Sequence, residues 1–127
     1  MQEKFIEFSD SSLIKSEHAS LAIIRHVHEE TAKGFKVSVA FIGPLTNIAL
    51  AVWLDPSIVP KIDKFYVMGG TYKAWGNMSL TGEFNLWTDP EASRIVWETF
   101  PYIHLLPWEM ADDFVVTEED RKVLFAN

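Results

Sequence analysis

A chain of 127 residues, 48% of them hydrophobic, has the length for one domain with a real core and not for two. Its formal charge of −7 is spread over mixed acids and bases with no Lys/Arg stripe, which argues against a nucleic-acid partner, because phosphate binding needs clustered positive charge. The lack of cysteine excludes a disulfide scaffold, a thiolate zinc site and a cysteine nucleophile; with no apolar run near the ~20 residues that cross a bilayer, and no signal-peptide pattern after Met1, a cytoplasmic protein without a membrane partner is expected.

Ser16 to Lys33 reads as an amphipathic helix, with Ala19, Leu21, Ala22, Ile23, Ile24 and Val27 on its apolar side and Gly34 as its stop. Lys36 to Gly43 is a short β-branched run with little polar alternation, the pattern of a strand buried on both faces of a parallel sheet. After Gly43-Pro44, a second helix runs from about Leu45 to Leu54 and stops before Asp55-Pro56, since the residue ahead of a proline avoids helical backbone angles. Phe65 to Met68 repeats the strand signal and breaks at Gly69-Gly70.

Thr71 to Glu83 is polar, glycine-bearing and aperiodic, hence a loop at the same end of the sheet as the Gly43-Pro44 turn. Asp89-Pro90-Glu91 is a strong helix start: a capping acid, a proline preset at the first helical position and a carboxylate favoured by the dipole. Ala92, Ile95, Val96, Thr99 and Phe100 form its buried stripe. Tyr102 to Leu106 is a third strand, and Thr117 to Asp120 opens a last helix with a capping-box pattern, running to the chain end. Alternating helices and strands predict an α/β fold, a parallel sheet with helices on both faces joined by right-handed crossovers. Ligands in such sheets sit outside the carboxyl ends of the strands, which directs attention to the two glycine-marked turns. Three short strands make a small sheet, so missing neighbours are expected.

Dinucleotide, P-loop, zincin and serine-hydrolase motifs are all absent. Polar density gathers instead in Gly76 to Asn85, where Asn77, Glu83 and Asn85 surround Phe84. Two amides and a carboxylate suit a polyol, whose hydroxyls each donate and accept, and Phe84 and Trp75 offer faces to a ring. The plainer reading, favoured by composition alone, is that the asparagines and glycines make turns and Glu83 is solvated.

Five motifs in register shift that balance: Gly43 to Leu50 (GPLTNIAL), Val67 to Gly70 (VMGG), Gly76-Asn77, Glu83 to Asn85 (EFN) and Asp89 to Ala92 (DPEA). In this order and spacing they resemble the inosine-uridine preferring nucleoside hydrolases, over essentially the whole chain from about His18 onward and over a middle portion of the family's domain. The resemblance implies that fold and hydrolysis of the N-glycosidic bond of ribonucleosides, with Ca²⁺ holding the ribose diol and the attacking water. It further implies that Thr46 gives its backbone carbonyl to the calcium, that Asn77, Glu83 and Asn85 hydrogen-bond the ribose hydroxyls, that Met68 lies against the sugar and base, and that Phe84 walls the pocket. Without the resemblance, Thr46 is a helix-start hydroxyl, Met68 core and Asp89 a cap.

The family's N-terminal Asp-x-Asp-x-x-x-Asp-Asp cluster has no counterpart in this sequence, nor has its late His-Asp segment; Asp112-Asp113 does not match the cluster and reads as a solvated turn. His18, His26, His28 and His104 show no metal-like convergence. No catalytic residue is therefore assigned, Ca²⁺ is expected to be held weakly or not at all by this chain alone, and its nucleosidase activity is expected to be negligible. The alternatives are a non-catalytic ribose- or nucleoside-binding module and an interaction protein that completes its sheet with another chain. Homo-oligomers are consistent with each reading.

Overall fold

The computed structural model describes residues 14–125; the absence of a signal peptide was read from residues outside that range. Three strands, β1 (Val37–Phe41), β2 (Ile62–Met68) and β3 (His104–Leu106), form a parallel sheet in the order β1-β2-β3. Among the described residues six α-helices accompany them: α1 (Ala19–Ala32), α2 (Thr46–Leu54), α3 (Phe84–Thr88), α4 (Pro90–Thr99), α5 (Trp108–Asp112) and α6 (Glu118–Leu124), with a 3-10 segment at Pro56–Lys61.

Helix boundaries follow the local signals. Gly34 takes a φ of +85°, and Phe35 and Gly34 donate their N–H groups to the Glu30 and Thr31 carbonyls, which closes α1 in a Schellman arrangement. Asp89 caps α4 through the Ala92 N–H with Pro90 at the first helical position. Thr117 and Asp120 exchange the reciprocal bonds of a capping box at α6, which buries no residue and ends at Leu124, short of the chain end to which its pattern extends. The pattern gave no sign of the 3-10 segment or α5, and placed Phe84 and Asn85 in a loop where α3 begins; these elements span five or six residues, too few for a period to register.

The core lies between one face of the sheet and α1, α2 and α4. Val39 and Phe41 of β1 and Phe65 and Val67 of β2 point into it, meeting Val27, Ile48, Val52 and Val96. The Phe65 ring stands between Phe41 and Phe100, with centroids 5.4 and 4.2 Å away. On the opposite face Ser38, Ala40, Tyr66, His104 and Leu106 are exposed among the described residues, and the Tyr66 and His104 rings stack at 4.7 Å. Among the described residues the core packing is thus on one face of the sheet. Strand β1 alternates half-buried and exposed residues because successive side chains point to opposite faces, with Ser38 and Ala40 outward. Apolar outward residues such as Ile42 and Leu106 made the sequence read as buried on both sides.

Candidate functional site

Strand β2 ends at Met68, and the next residues build the site. Gly69 donates its N–H to the Leu106 carbonyl at 3.0 Å, prolonging the β2–β3 ladder, and Gly70 turns away with a φ of +70°, a conformation that favours glycine. The loop beyond carries Asn77 and returns at Glu83, the cap of α3. Glu83 is 3% exposed; its carboxylate accepts N–H groups from Gly70 (2.8 Å), Asn85 (3.0 Å) and Leu86 (3.3 Å). It pins the strand end to the first turn of α3, rather than being solvated.

Asn85 is buried on the first turn of α3, and its Nδ2 donates to the Met68 carbonyl at 3.0 Å and lies 3.2 Å from the Met68 sulfur. Its acceptor Oδ1 has no partner among the described residues. Asn77 is exposed, and its Oδ1 accepts the Phe84 N–H at 2.8 Å, while its Nδ2 donor has no partner among the described residues. Met68, Glu83 and Asn85 are thereby brought into one bonded group, with Asn77 joined to it through Phe84; the Phe84 side chain itself is half exposed. The loop tip is tightly folded: Gly82 accepts from the amides of Asn77, Met78 and Ser79, and a Cβ on Gly76 would lie 2.3 Å from the Ser79 carbonyl oxygen and 2.4 Å from the Gly82 backbone.

Thr46 opens α2, and its hydroxyl donates to Asp89 at 2.5 Å. Asp89 therefore does more than the capping role read from the sequence, linking α4 to the β1–α2 turn, and the Thr46 hydroxyl together with the Ala92 amide holds its carboxyl below the usual aspartate range. These two line a shallow groove between α2 and α4, and no hydrogen bond joins them to the Met68 group among the described residues.

The family model described as inosine-uridine preferring nucleoside hydrolase matches residues 4–126. The chain belongs to that family. It is 39% identical over 85 residues to "Probable uridine nucleosidase 1" of Oryza sativa subsp. japonica, covering 67% of this chain and 26% of the relative. A pyrimidine-specific ribonucleoside hydrolase RihB of Escherichia coli O1:K1 / APEC is 37% identical over 78 residues, 61% of this chain and 25% of its own length. Among solved structures, the inosine-uridine preferring nucleoside hydrolase of Bacillus anthracis superposes with a TM-score of 0.75 at 30% identity, over 87% of this chain and 37% of that one. The chain thus spans a quarter to under two fifths of the length of these relatives.

Within this nucleoside hydrolase fold, the described residues do not by themselves fit a Ca²⁺ ion. The ion takes about 6 to 8 oxygen ligands, whereas no group of three or more acidic or histidine side chains converges among the described residues. Glu83 and Asp89 each already hold backbone amides. Asp112 and Asp113, at the end of α5, are exposed, as expected of a solvated turn. Of the histidines, His18 caps α1 and His28 bonds Asp55 at 2.6 Å, both structural roles.

Sequence reasoning passed over Glu109. Near the start of α5, this residue is 9% exposed and accepts the N–H groups of Tyr72 (3.1 Å) and Lys73 (2.7 Å). Burial raises its carboxyl, but the amides of Lys73, Tyr72 and Glu109 itself outweigh that and hold it below the usual glutamate value. The one available signal was its place just past the end of a strand.

Proposed function

We propose that the chain forms the ribose-holding part of a ribonucleoside hydrolase, which cleaves the N-glycosidic bond of small-molecule ribonucleosides to ribose and free base in the cytoplasm. The observation that carries this is the Met68–Asn85–Glu83 group at the carboxyl end of β2, where the fold class places its ligands. The Nδ2 of Asn77 and the Oδ1 of Asn85, each without a partner among the described residues, are a donor and an acceptor for neighbouring hydroxyls, while Met68 and Phe84 supply apolar surface to a sugar or base. Breaking the glycosidic bond builds positive charge on the sugar ring, and a buried carboxylate such as Glu83 stabilises such charge through a low-dielectric surround.

On this reading Ca²⁺ is bound weakly or not at all by the chain alone, and turnover needs oxygen ligands beyond those described. The test is ribose release from inosine and uridine by the purified chain, with Ca²⁺ and with chelator, beside calorimetric titration of the same nucleosides. Binding without turnover is expected. Chelator-sensitive release would show that the chain completes its own metal site, and a cooperatively folded chain that binds neither nucleoside would overturn the ribose site.

A second reading, an interaction module that completes its sheet with another copy or chain, is favoured by the exposed apolar face bearing Tyr66 and Leu106. Sedimentation that shifts with concentration would support it.

A further inference from the structure

Buried carboxylates are costly unless hydrogen bonds compensate their lost hydration. Glu109 is such a group, and among the described residues it has no cation within 4 Å; its side-chain partners are the amides of Tyr72 and Lys73, on an exposed loop 37 and 36 residues earlier in the chain. All of its side-chain bonds go to that loop, so the carboxylate serves the loop.

That loop has little else to fix its first half. Its tip closes on itself through Gly82, and its far end is held by Glu83 and by the Asn77–Phe84 bond. Between Gly70 and Gly76 the other ties among the described residues are the Gly70 amide on Glu83 and the Trp108 amide on the Gly70 carbonyl, both at 2.8 Å, the Gly76 amide on the Leu80 carbonyl at 3.1 Å, and a long 3.4 Å contact from the Thr71 hydroxyl to the Thr81 carbonyl. Lys73 leans over the Tyr72 and Trp75 rings, contacts that move with the loop. Ala74 has a φ of +58°, so the chain reverses immediately after the two amides that Glu109 holds.

We infer that Glu109 is a positioning residue for the ribose site: by gripping the Tyr72 and Lys73 amides it fixes where the loop leaves β2, and hence where Asn77 presents its amide beside Phe84. Glu83 takes the Gly70 amide and Glu109 those of Tyr72 and Lys73, so two buried carboxylates from different elements set one corner. The effect on ligand rests on the ribose-site reading given above, whereas the effect on the loop does not.

The experiment is hydrogen exchange on the full chain and on Glu109→Ala and Glu109→Gln, with inosine affinity measured for each. Glutamine keeps one oxygen, at the place of the Oε1 that accepts from both amides, and is expected to rescue. In Glu109→Ala, exchange at Tyr72 and Lys73 is expected to rise at least tenfold while α2 and β2 keep their protection, and the inosine dissociation constant to rise about tenfold. Glu109→Gln is expected to stay within about threefold of the parent in both. Unchanged exchange at Tyr72 and Lys73 in Glu109→Ala, or an equal rise throughout the chain, would overturn the positioning role. If the cooperatively folded parent chain binds neither inosine nor uridine, the ribose-site reading falls, and exchange still decides whether Glu109 holds the loop.

Discussion

At Gly76 the chain tolerates no side chain. The atoms a Cβ would meet, at 2.3 and 2.4 Å, belong to the backbone of Ser79 and Gly82 and cannot rotate aside. Gly76→Ala is expected to open the loop tip at a cost of roughly 1–3 kcal/mol, the range for forcing an extra carbon into a packed site. Proteolytic cleavage within Gly76–Gly82 reports it, and a resistant Gly76→Ala loop would contradict the close approach. Asp89 poses a different question, because its carboxylate serves a helix end and a neighbouring helix together. Asp89→Ala is expected to lose roughly 0.5–2 kcal/mol from the cap and about 1 kcal/mol more from the Thr46 bond. Asp89→Asn, which keeps an acceptor, should recover most of this in urea unfolding. Equal losses in both variants would show that the charge itself matters.

Among the elements, the junction of α1, α2 and the 3-10 segment is set by His28, Asp55 and Lys61. His28 bridges the other two, with Nε2 2.6 Å from Asp55 and Nδ1 2.6 Å from the Lys61 ammonium. Asp55 also caps the 3-10 segment through Ser57, and the Ser57 and His28 bonds lower its pKa to about 2 from 3.8. A carboxyl whose folded pKa is depressed adds stability that is fully present above the unfolded value and disappears as pH falls through the folded one. The junction is therefore expected to weaken between pH 3.8 and about 2. Asp55→Asn, which does not titrate, should show a flatter dependence of thermal midpoint on pH across that interval; a parent and variant with parallel profiles would remove Asp55 from the acid response.

At the scale of the whole molecule, the two faces of the sheet are unequal. Ile48 is fully buried against the inner face, while Leu106 is 40% exposed on the outer one. Ile48→Ala is expected to cost about 2–5 kcal/mol and Leu106→Ala within about 0.5 kcal/mol. Comparable costs for the two in urea unfolding, above all if they vary with protein concentration, would mean that another copy covers the outer face in solution. Helix α2 is also unevenly covered: Ile48, Ala49, Ala51 and Val52 are buried, while Trp53 and Leu54 in its last turn are exposed.

Much of this was legible in the residues. Gly34, Pro56, Asp89-Pro90 and Thr117 mark element ends through local backbone and capping preferences, which act over four or five residues and need no tertiary context. The parallel α/β order and the family followed from element alternation and five short motifs in register, and Met68, Glu83 and Asn85 do lie in one bonded group. Partners far apart in sequence could not be read this way. That Thr46 meets Asp89, that Glu83 is buried against Gly70, and that Glu109 holds Tyr72 and Lys73 are contacts across 43, 13 and about 36 residues. Which face of the sheet is covered was equally beyond the sequence, since an apolar run looks the same whether or not a helix packs on it. Local chemistry carries its own signature in the chain, whereas the pairing of distant groups and the burial of a surface exist only once the chain has folded.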